Sequence, residues 1–428
     1  MADHPTASVA DGLDQTPRQR RGTLGGLVDA AFARAMTAVV GDRLEGHLSL
    51  SLPSGRCVRL GRSGPQEAIL EIKCRRAVAR TLRRGLLGFA ESYMAGDVDT
   101  PSLPDLIEYF LVNEAALSAA VPTLLRSSRG DRRYHAQRAN TIAGSRRNIA
   151  AHYDLGNAFY RLWLDRSLSY SSAVYSRPGM TLEEAQAEKH DRILAALELA
   201  PGHRLLEIGC GWGSVVATVA AAGADVTAIT ISREQLQETN ERIARVGLAH
   251  RARALFQDYR DSTGCYDRLV SIEMIEAVGE ENWPAYFATL ADRLLPGGVG
   301  VVQAITIRED LYESYRSRPD FIQRYIFPGG MLPTVPMMAG HAAGAGLTFE
   351  TVETFGASYA LTLAEWRRRF HAAWPEIEAL GFDARFRRMW DYYLCYCEAG
   401  FRHGLVDVGL YRMRKHGISG ASATRHAS

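Results

Sequence analysis

The sequence predicts an α/β protein: a doubly wound, Rossmann-like sheet of parallel strands preceded by a smaller α+β region. Three observations predict it. From Asn148 onward, short apolar runs alternate with segments of helical period. The first of those runs ends in a glycine loop, "LLEIGCGWGS". The 428 residues are enough for two cores, and the first 120 or so follow a different pattern.

Taken in order, residues 1–22 have no apolar stretch of the kind a secretory signal needs and read as a disordered tail. Residues 23–125 read as an accessory domain. In it "GHLSLSLPSGRCVRLG" alternates as strands do, and "PDLIEYFLVNEAALSAAV" has helical spacing. Residues 126–147 form a basic linker with seven arginines against one aspartate. Such a segment suits phosphate or anionic lipid, or simply a solvated linker.

The main domain is expected over 148–415, with a second tail at 416–428. "HRLLEI" is its first strand, followed by the helical "SVVATVAAAG" with a closing glycine. "DVTAIT" is a strand, and "SREQLQETNERIARVG" a helix with a serine cap and a terminal glycine. "RARALFQ" and "YDRLVSIE" are strands. "ENWPAYFATLADRLLPGG" is a helix stopped by Pro-Gly-Gly, and "VGVVQAITI" is the fifth strand. Strands alternating with helices imply a parallel sheet covered on both faces.

Composition excludes several classes. The chain is 46% hydrophobic and 23% charged, hence globular, and its net charge of +2 argues against nucleic acid as a partner. No window of about eighteen apolar residues spans a membrane. The six cysteines are scattered without metal-ligand spacing, which fits free thiols in a reducing cytoplasm and predicts no metal.

The loop "EIGCGWG" places Glu207, Gly209, Gly211 and Gly213 between a strand and a helix, where glycines let backbone approach a ligand closely. The dinucleotide fingerprint is GxGxxG with an acid about twenty residues on. Here the spacing is GxGxG, and the next strand ends in Thr230. That argues against a nicotinamide dinucleotide. An acid leading the loop suits S-adenosylmethionine instead.

With the loop stand further motifs: "HYDLGNAFYRLWLD", "LSYSSAVY", "ITISREQ", "QDYRD", "YDRLVSIEMIEAVGEENW", "RYIFPGGMLP" and "YYLCYCEAGFR". In this order and spacing the chain resembles the cyclopropane-fatty-acyl-phospholipid synthases and mycolic acid methyltransferases from about Asn148 to Lys415. Residues 23–125 resemble, more weakly, the extra domain of the phospholipid-acting members. The resemblance implies a class I methyltransferase fold with S-adenosylmethionine as cofactor. It also implies a bicarbonate ion held as base and the acyl chain of a membrane phospholipid as substrate. A cytoplasmic enzyme peripheral to the inner membrane surface is implied, with room for a homodimer. It places Tyr170 and Ser171 above the cofactor, and Glu207, Gly209, Cys210, Gly211, Trp212 and Gly213 beneath its methionine part. Thr230, Ile231 and Gln235 fall at the ribose, Gln257 and Asp258 at the adenine. Glu276, Tyr359 and Cys397 surround the reacting centre. Two positions depart from the family: Ser172 stands where many members have cysteine, and Gln303 where many have histidine. Serine and glutamine both donate hydrogen bonds to an anion, so the pocket survives while the route of the proton is open.

An alkene is a poor nucleophile and must meet a strongly electrophilic methyl group. Attack leaves a carbocation that water would trap, so the cavity must be dry. Aromatic faces stabilise such a cation. The stretch 150–175 carries six aromatic residues. Of these, Phe159 and Trp163 suit either the cavity wall or the core, Tyr170 with its motif suits the cavity wall, and His152 suits positioning of a lid. The thiol of Cys397, with an ordinary pKa near 8.5, suits a weak donor rather than a nucleophile. On a helix Cys395 faces about 200° away from it. The product is expected to be a cyclopropane or, given Ser172 and Gln303, a methyl- or methylene-branched chain. A small-molecule N-methyltransferase on the same scaffold is the remaining alternative.

Overall fold

The computed structural model describes residues 23–120, 144 and 155–417. The arginine-rich linker apart from Gly144, His152 and the two expected tails apart from residues 416–417 lie outside the described residues.

The N-terminal region opens with helix α1 (Thr23–Val40) and a four-stranded sheet. Its strands are β1 (Glu45–Ser51), β2 (Cys57–Leu60), β3 (Arg62–Ile72) and β4 (Val98–Asp99), in the order β2-β1-β3-β4. In β1 the alternation sends Leu48 and Leu50 inward and the serines outward, as a half-buried strand requires. Helix α2 (Arg76–Met94) crosses between β3 and β4 and is broken at Gly85, whose φ of 61° only glycine adopts readily. The predicted single helix after β4 is two, α3 (Leu103–Val112) and α4 (Glu114–Ala120). Buried Asn113 divides them: its amide accepts from Glu45 N at 2.6 Å and donates to Glu45 O at 2.9 Å, pinning the chain to β1.

The second sheet has seven strands in the order β10-β11-β9-β8-β5-β6-β7. β5 (Arg204–Ile208), β6 (Asp225–Thr230), β7 (Ala252–Phe256), β8 (Tyr266–Ile272) and β9 (Leu294–Ile307) are parallel, as expected. β10 (Leu347–Thr354) and β11 (Val406–Lys415) were not predicted; β11 runs antiparallel to both β9 and β10. Strand order reverses between β5 and β8, and open α/β sheets bind ligands at the carboxyl ends of the strands flanking that reversal.

Short helix α5 (Asn157–Arg161) and helix α6 (Leu182–Ala196) precede β5. α6 begins with a reciprocal capping box between Thr181 and Glu184. α7 (Ser214–Ala221) and α8 (Arg233–Arg245) link the first three strands, the latter capped by Ser232. α9 (Trp283–Arg293) ends before Pro-Gly-Gly, not at it, because Leu294 is already extended and begins β9. After α10 (Glu309–Ser317) and α11 (Val335–Gly344) come β10, α12 (Gly356–Ala372), α13 (Trp374–Ala379) and α14 (Ala384–Arg402).

Candidate functional site

A cavity of about 740 Å³ opens at the carboxyl ends of β5, β6, β7 and β8. Its walls include Glu207, Gly209, Cys210, Gly211 and Trp212 of the glycine loop, Tyr170 and Ser171 above them, Thr230, Ile231 and Gln235 after β6, and Gln257 and Asp258 after β7. These positions, scattered in sequence, share one wall. Gly213 is not on it. A Cβ there would meet Thr239 at 2.7 Å, so Gly213 allows α7 to pack on α8 rather than a ligand to approach. A Cβ on Gly211, in contrast, would project into open space.

Beneath the loop lies a buried charged group absent from the sequence reading. Lys189 of α6 is 1% exposed and donates to Ser171 Oγ at 2.9 Å. Burial pulls its pKa down to about 8, against the opposing charges of Glu273, Asp165 and Glu207. Glu207 is itself pushed well up by burial, with Lys189 counteracting, and its Oε2 has no protein partner. A buried carboxyl oxygen at the wall of a roomy cavity, above a loop with open space, fits a ligand carrying amine and hydroxyl donors. S-adenosylmethionine is such a ligand. Asp258 is already held by Arg260 at 2.8 Å, and Gln257 Nε2 donates to Asp261 O at 2.7 Å. Thr230 Oγ1 donates to Gln235 Oε1 at 2.9 Å.

The expected reacting centre assembles around a different glutamate. Ser172 N donates to Glu273 Oε1 at 2.8 Å, Gln303 Nε2 donates to the same oxygen at 2.8 Å, and Tyr359 OH donates to Oε2 at 2.7 Å. Three residues expected to hold bicarbonate therefore hold a carboxylate of the chain itself, and the bicarbonate does not fit those donors. Neither Ser172 nor Gln303 lines the cavity. The Ser172 hydroxyl turns back to Ala173 O at 2.9 Å, and only its backbone N–H faces Glu273. Glu273 has a φ of 47°, a strained value for glutamate, which turns its side chain toward these donors. Burial raises its pKa and the three hydrogen bonds and Lys189 oppose the rise.

Glu276, one turn on, lies on the cavity wall but binds none of the three. Its Oε1 accepts from Ile305 N at 2.6 Å, and its Oε2 has no partner. Burial, then the charge of Glu273, pushes its pKa up to about 8, so it is mostly protonated at neutral pH. The "FPGG" segment closes over it: Met331 N donates to Glu276 O at 2.8 Å.

Tyr359 and Cys397 line the cavity, and Cys395 does not. Burial, then the charge of Asp320, holds the Cys397 thiol neutral. Phe159 and Trp163 are fully buried against Phe370, Phe382 and Trp390, so they are core. Tyr170 alone of those three reaches the cavity, its OH 2.9 Å from Tyr393 OH. Glu273 was hidden by its neighbour: "SIEMIEAVG" offers two glutamates three apart at the same sheet edge. Lys189 had no local signal at all.

A seven-stranded sheet of this order, with a glycine loop after its first strand and a ligand-sized cavity above, defines a class I methyltransferase. Comparison with known proteins narrows the class. The family model described as mycolic acid cyclopropane synthetase matches residues 141–410. Tuberculostearic acid methyltransferase UfaA1 of Mycobacterium tuberculosis is 37% identical over 96% of this chain and 98% of its own. Cyclopropane-fatty-acyl-phospholipid synthase of Escherichia coli K12 is 35% identical over 82% of this chain and 88% of its own. Among solved structures, the cyclopropane synthase MmaA2 of M. tuberculosis superposes with a TM-score of 0.60 at 31% identity. It covers 63% of this chain and 98% of that one. The synthase CmaA1 complexed with SAH and CTAB gives 0.59 at 33%, with the same coverage. Coclaurine N-methyltransferase, at 16% identity, shares the fold alone. The chain belongs to the mycolic acid cyclopropane synthetase family and is an S-adenosylmethionine-dependent methyltransferase.

Proposed function

We propose that the protein transfers a one-carbon unit to the double bond of an unsaturated phospholipid acyl chain, with Glu273 as proton acceptor. The convergence of Ser172, Gln303 and Tyr359 on Glu273 carries this reading. S-adenosylmethionine, held by the loop from Glu207 to Trp212 with Tyr170 and Ser171, supplies an electrophilic methyl group when bound.

Once an alkene carbon has taken the methyl, its former partner is cationic. Tyr170, Phe327, Tyr359 and Tyr393 line the cavity, and aromatic rings stabilise a cation beside them. The lining here is mostly apolar and aromatic, and burial keeps Glu276 mostly protonated and Cys397 neutral. Two outcomes follow. In one, a C–H bond of the added methyl breaks, its electron pair closes a ring on the cationic carbon, and the proton goes to Glu273. In the other, hydride moves from the methyl-bearing carbon to its cationic neighbour. The new cation is tertiary, and a proton lost from the methyl to Glu273 leaves a methylene branch on the chain. A saturated branch then needs a separate reduction. Ser172 and Gln303 act through Glu273 as positioning residues.

One observation favours the branch: the relative matched along nearly the whole chain is named a methyltransferase of tuberculostearic acid, not a cyclopropane synthase. The membrane side of this reading rests on the arginines between Arg126 and Arg147 and on exposed leucines of the N-terminal region. No helix among the described residues is long and apolar enough to cross a membrane.

The test incubates purified protein with S-adenosylmethionine and vesicles containing an oleoyl phospholipid. Ring and methylene products are isomers, so proton magnetic resonance distinguishes them. Vinylidene protons are expected. Upfield ring protons would overturn the branch, and no added carbon would overturn the function.

A further inference from the structure

The cavity does not stop at the reacting centre. The same continuous space extends between the inner face of the N-terminal sheet and helix α2. There Leu48 and Leu50 of β1, Leu70 and Ile72 of β3, and Leu87 and Phe89 of α2 face a hollow. A domain of this size ordinarily fills such space with its own side chains, because an apolar void costs stability in proportion to its volume. This lobe is lined mainly by leucine, isoleucine and phenylalanine, with Arg84 and Glu114 the charged residues on its wall, and it runs on past Phe321, Tyr392 and Tyr396 toward Glu273. The two regions are held in register around that passage. Tyr93 OH donates to Asp391 Oδ2 at 2.9 Å, Tyr325 OH to Glu91 Oε1 at 2.6 Å, and Arg388 to Val98 O at 2.7 Å.

At its outer end the lobe reaches the surface. Leu82 is 50% exposed and Leu86 44% exposed, yet both also line the cavity. Gly85 breaks α2 between them. Arg75 ties α1 to the start of α2 through Asp29 at 2.7 Å, and α1 presents Leu24, Leu27 and Val28 to solvent. Exposed leucines at the mouth of an apolar passage suit a bilayer, whose acyl chains would continue from that surface inward. The cofactor wall at Gln257 and Asp258 belongs to the other end of the cavity.

We infer that the N-terminal lobe is the passage by which an acyl chain reaches Glu273 directly from a lipid bilayer, entering at Leu82 and Leu86. The inference rests on the reading that the substrate is an acyl chain. It makes the N-terminal region part of the substrate site, so the bond to be modified is drawn in without the lipid leaving the membrane.

The test is photocrosslinking of the full chain to phosphatidylglycerol vesicles whose acyl chains carry a diazirine. Labelled peptides are expected within residues 44–111 as well as at 320–327 and 392–401. Label confined to residues 155–417 would overturn the passage. A second test fills the lobe with Leu50→Trp or Leu70→Trp. Turnover on vesicles should fall by about tenfold or more, as misplacement of a substrate does, with S-adenosylmethionine affinity unchanged by titration calorimetry. Wild-type turnover in both folded variants would overturn the inference. Labelling of the lobe by a protein that adds no carbon would leave the passage standing and remove the proposed chemistry. Added carbon without lobe labelling would do the reverse.

Discussion

Replacing Glu273 by glutamine separates the base from the pocket that holds it. The amide oxygen keeps the hydrogen bonds from Ser172 N and Gln303 Nε2, both 2.8 Å in the native site. The amide NH₂ meets Tyr359 OH, which then accepts instead of donating. Shape and hydrogen bonding survive, and the proton acceptor is gone. A positioned general base contributes about 10²–10⁴ in rate, or roughly 3–5 kcal/mol of barrier at about 1.4 kcal/mol per decade. Glu276 does not substitute, because burial alone keeps it raised even after the charge of Glu273 is removed. By the same logic Glu276→Gln replaces a carboxyl that is already mostly neutral below about pH 8, and should retain far more activity than Glu273→Gln. The assay is single-turnover product formation on oleoyl phospholipid vesicles at saturating S-adenosylmethionine, with calorimetry to confirm unchanged cofactor affinity. Turnover of Glu273→Gln within about threefold of wild type, well short of the loss expected for a base, would refute the assignment. So would a Glu276→Gln variant as damaged as Glu273→Gln.

Three further outcomes are expected. Both Gly211→Ala and Gly213→Ala carry the backbone strain of a positive φ, 52° and 81°, but only at Gly213 does the Cβ also meet Thr239, at 2.7 Å, so Gly213→Ala should lose more Tm while Gly211→Ala lowers S-adenosylmethionine affinity; equal melting losses in the two would count against this division. Burial holds His190 neutral, with a pKa near 3 against an ordinary value near 6.5, so its contribution to stability is present above pH 6.5 and lost as pH falls toward 3. His190→Gln should therefore show a shallower acid limb in urea midpoints between pH 6.5 and 4, and parallel limbs would sink the idea. Binding to anionic vesicles should weaken with salt if the arginines of 126–147 contribute about 1 kcal/mol each near the surface; sedimentation equal at low and high salt would exclude that role.

The parallel strands were legible because each is a short apolar run closed by a turn. β10 and β11 were not. β10, "LTFETVET", is a largely exposed edge strand whose apolar alternation breaks at Thr351, beside a shift of register against β11, so the full strand pattern is missing from the sequence. The glycine-loop wall was legible because its motif is contiguous. Ser172, Gln303 and Tyr359 were found through the family pattern, but their common partner was not. That choice between Glu273 and Glu276 is made by the left-handed backbone at Glu273, which sequence does not display. The N-terminal lobe was hidden for another reason. Leu48, Leu50 and Leu70 are all buried, and an apolar residue facing a hollow has the same sequence signature as one facing a core.

The aromatic stretch before the loop now divides by function. Phe159 and Trp163 stiffen the core from which Tyr170 projects, and Tyr170 joins Tyr393 across the cavity. Around them burial keeps two groups largely uncharged at neutral pH, Glu276 with the charge of Glu273 and Cys397 with the charge of Asp320, and pulls the pKa of Lys189 down to about 8. Burial raises Glu273 too, but there three donors and Lys189 oppose the rise and favour its anion. A cation formed in this low-dielectric space is therefore drawn toward one carboxylate, and that carboxylate cannot swing, being fixed at both oxygens. In either outcome it removes a proton of the added methyl, and whether a hydride shifts first is decided by how the chain lies against the walls. Ring or branch is set by the walls that position the acyl chain, Tyr359, Cys397 and Phe401 among them, and not by the strength of the base. A substitution at Cys397 that changes wall volume should shift the ratio of products without abolishing turnover, whereas one at Glu273 should abolish both alike.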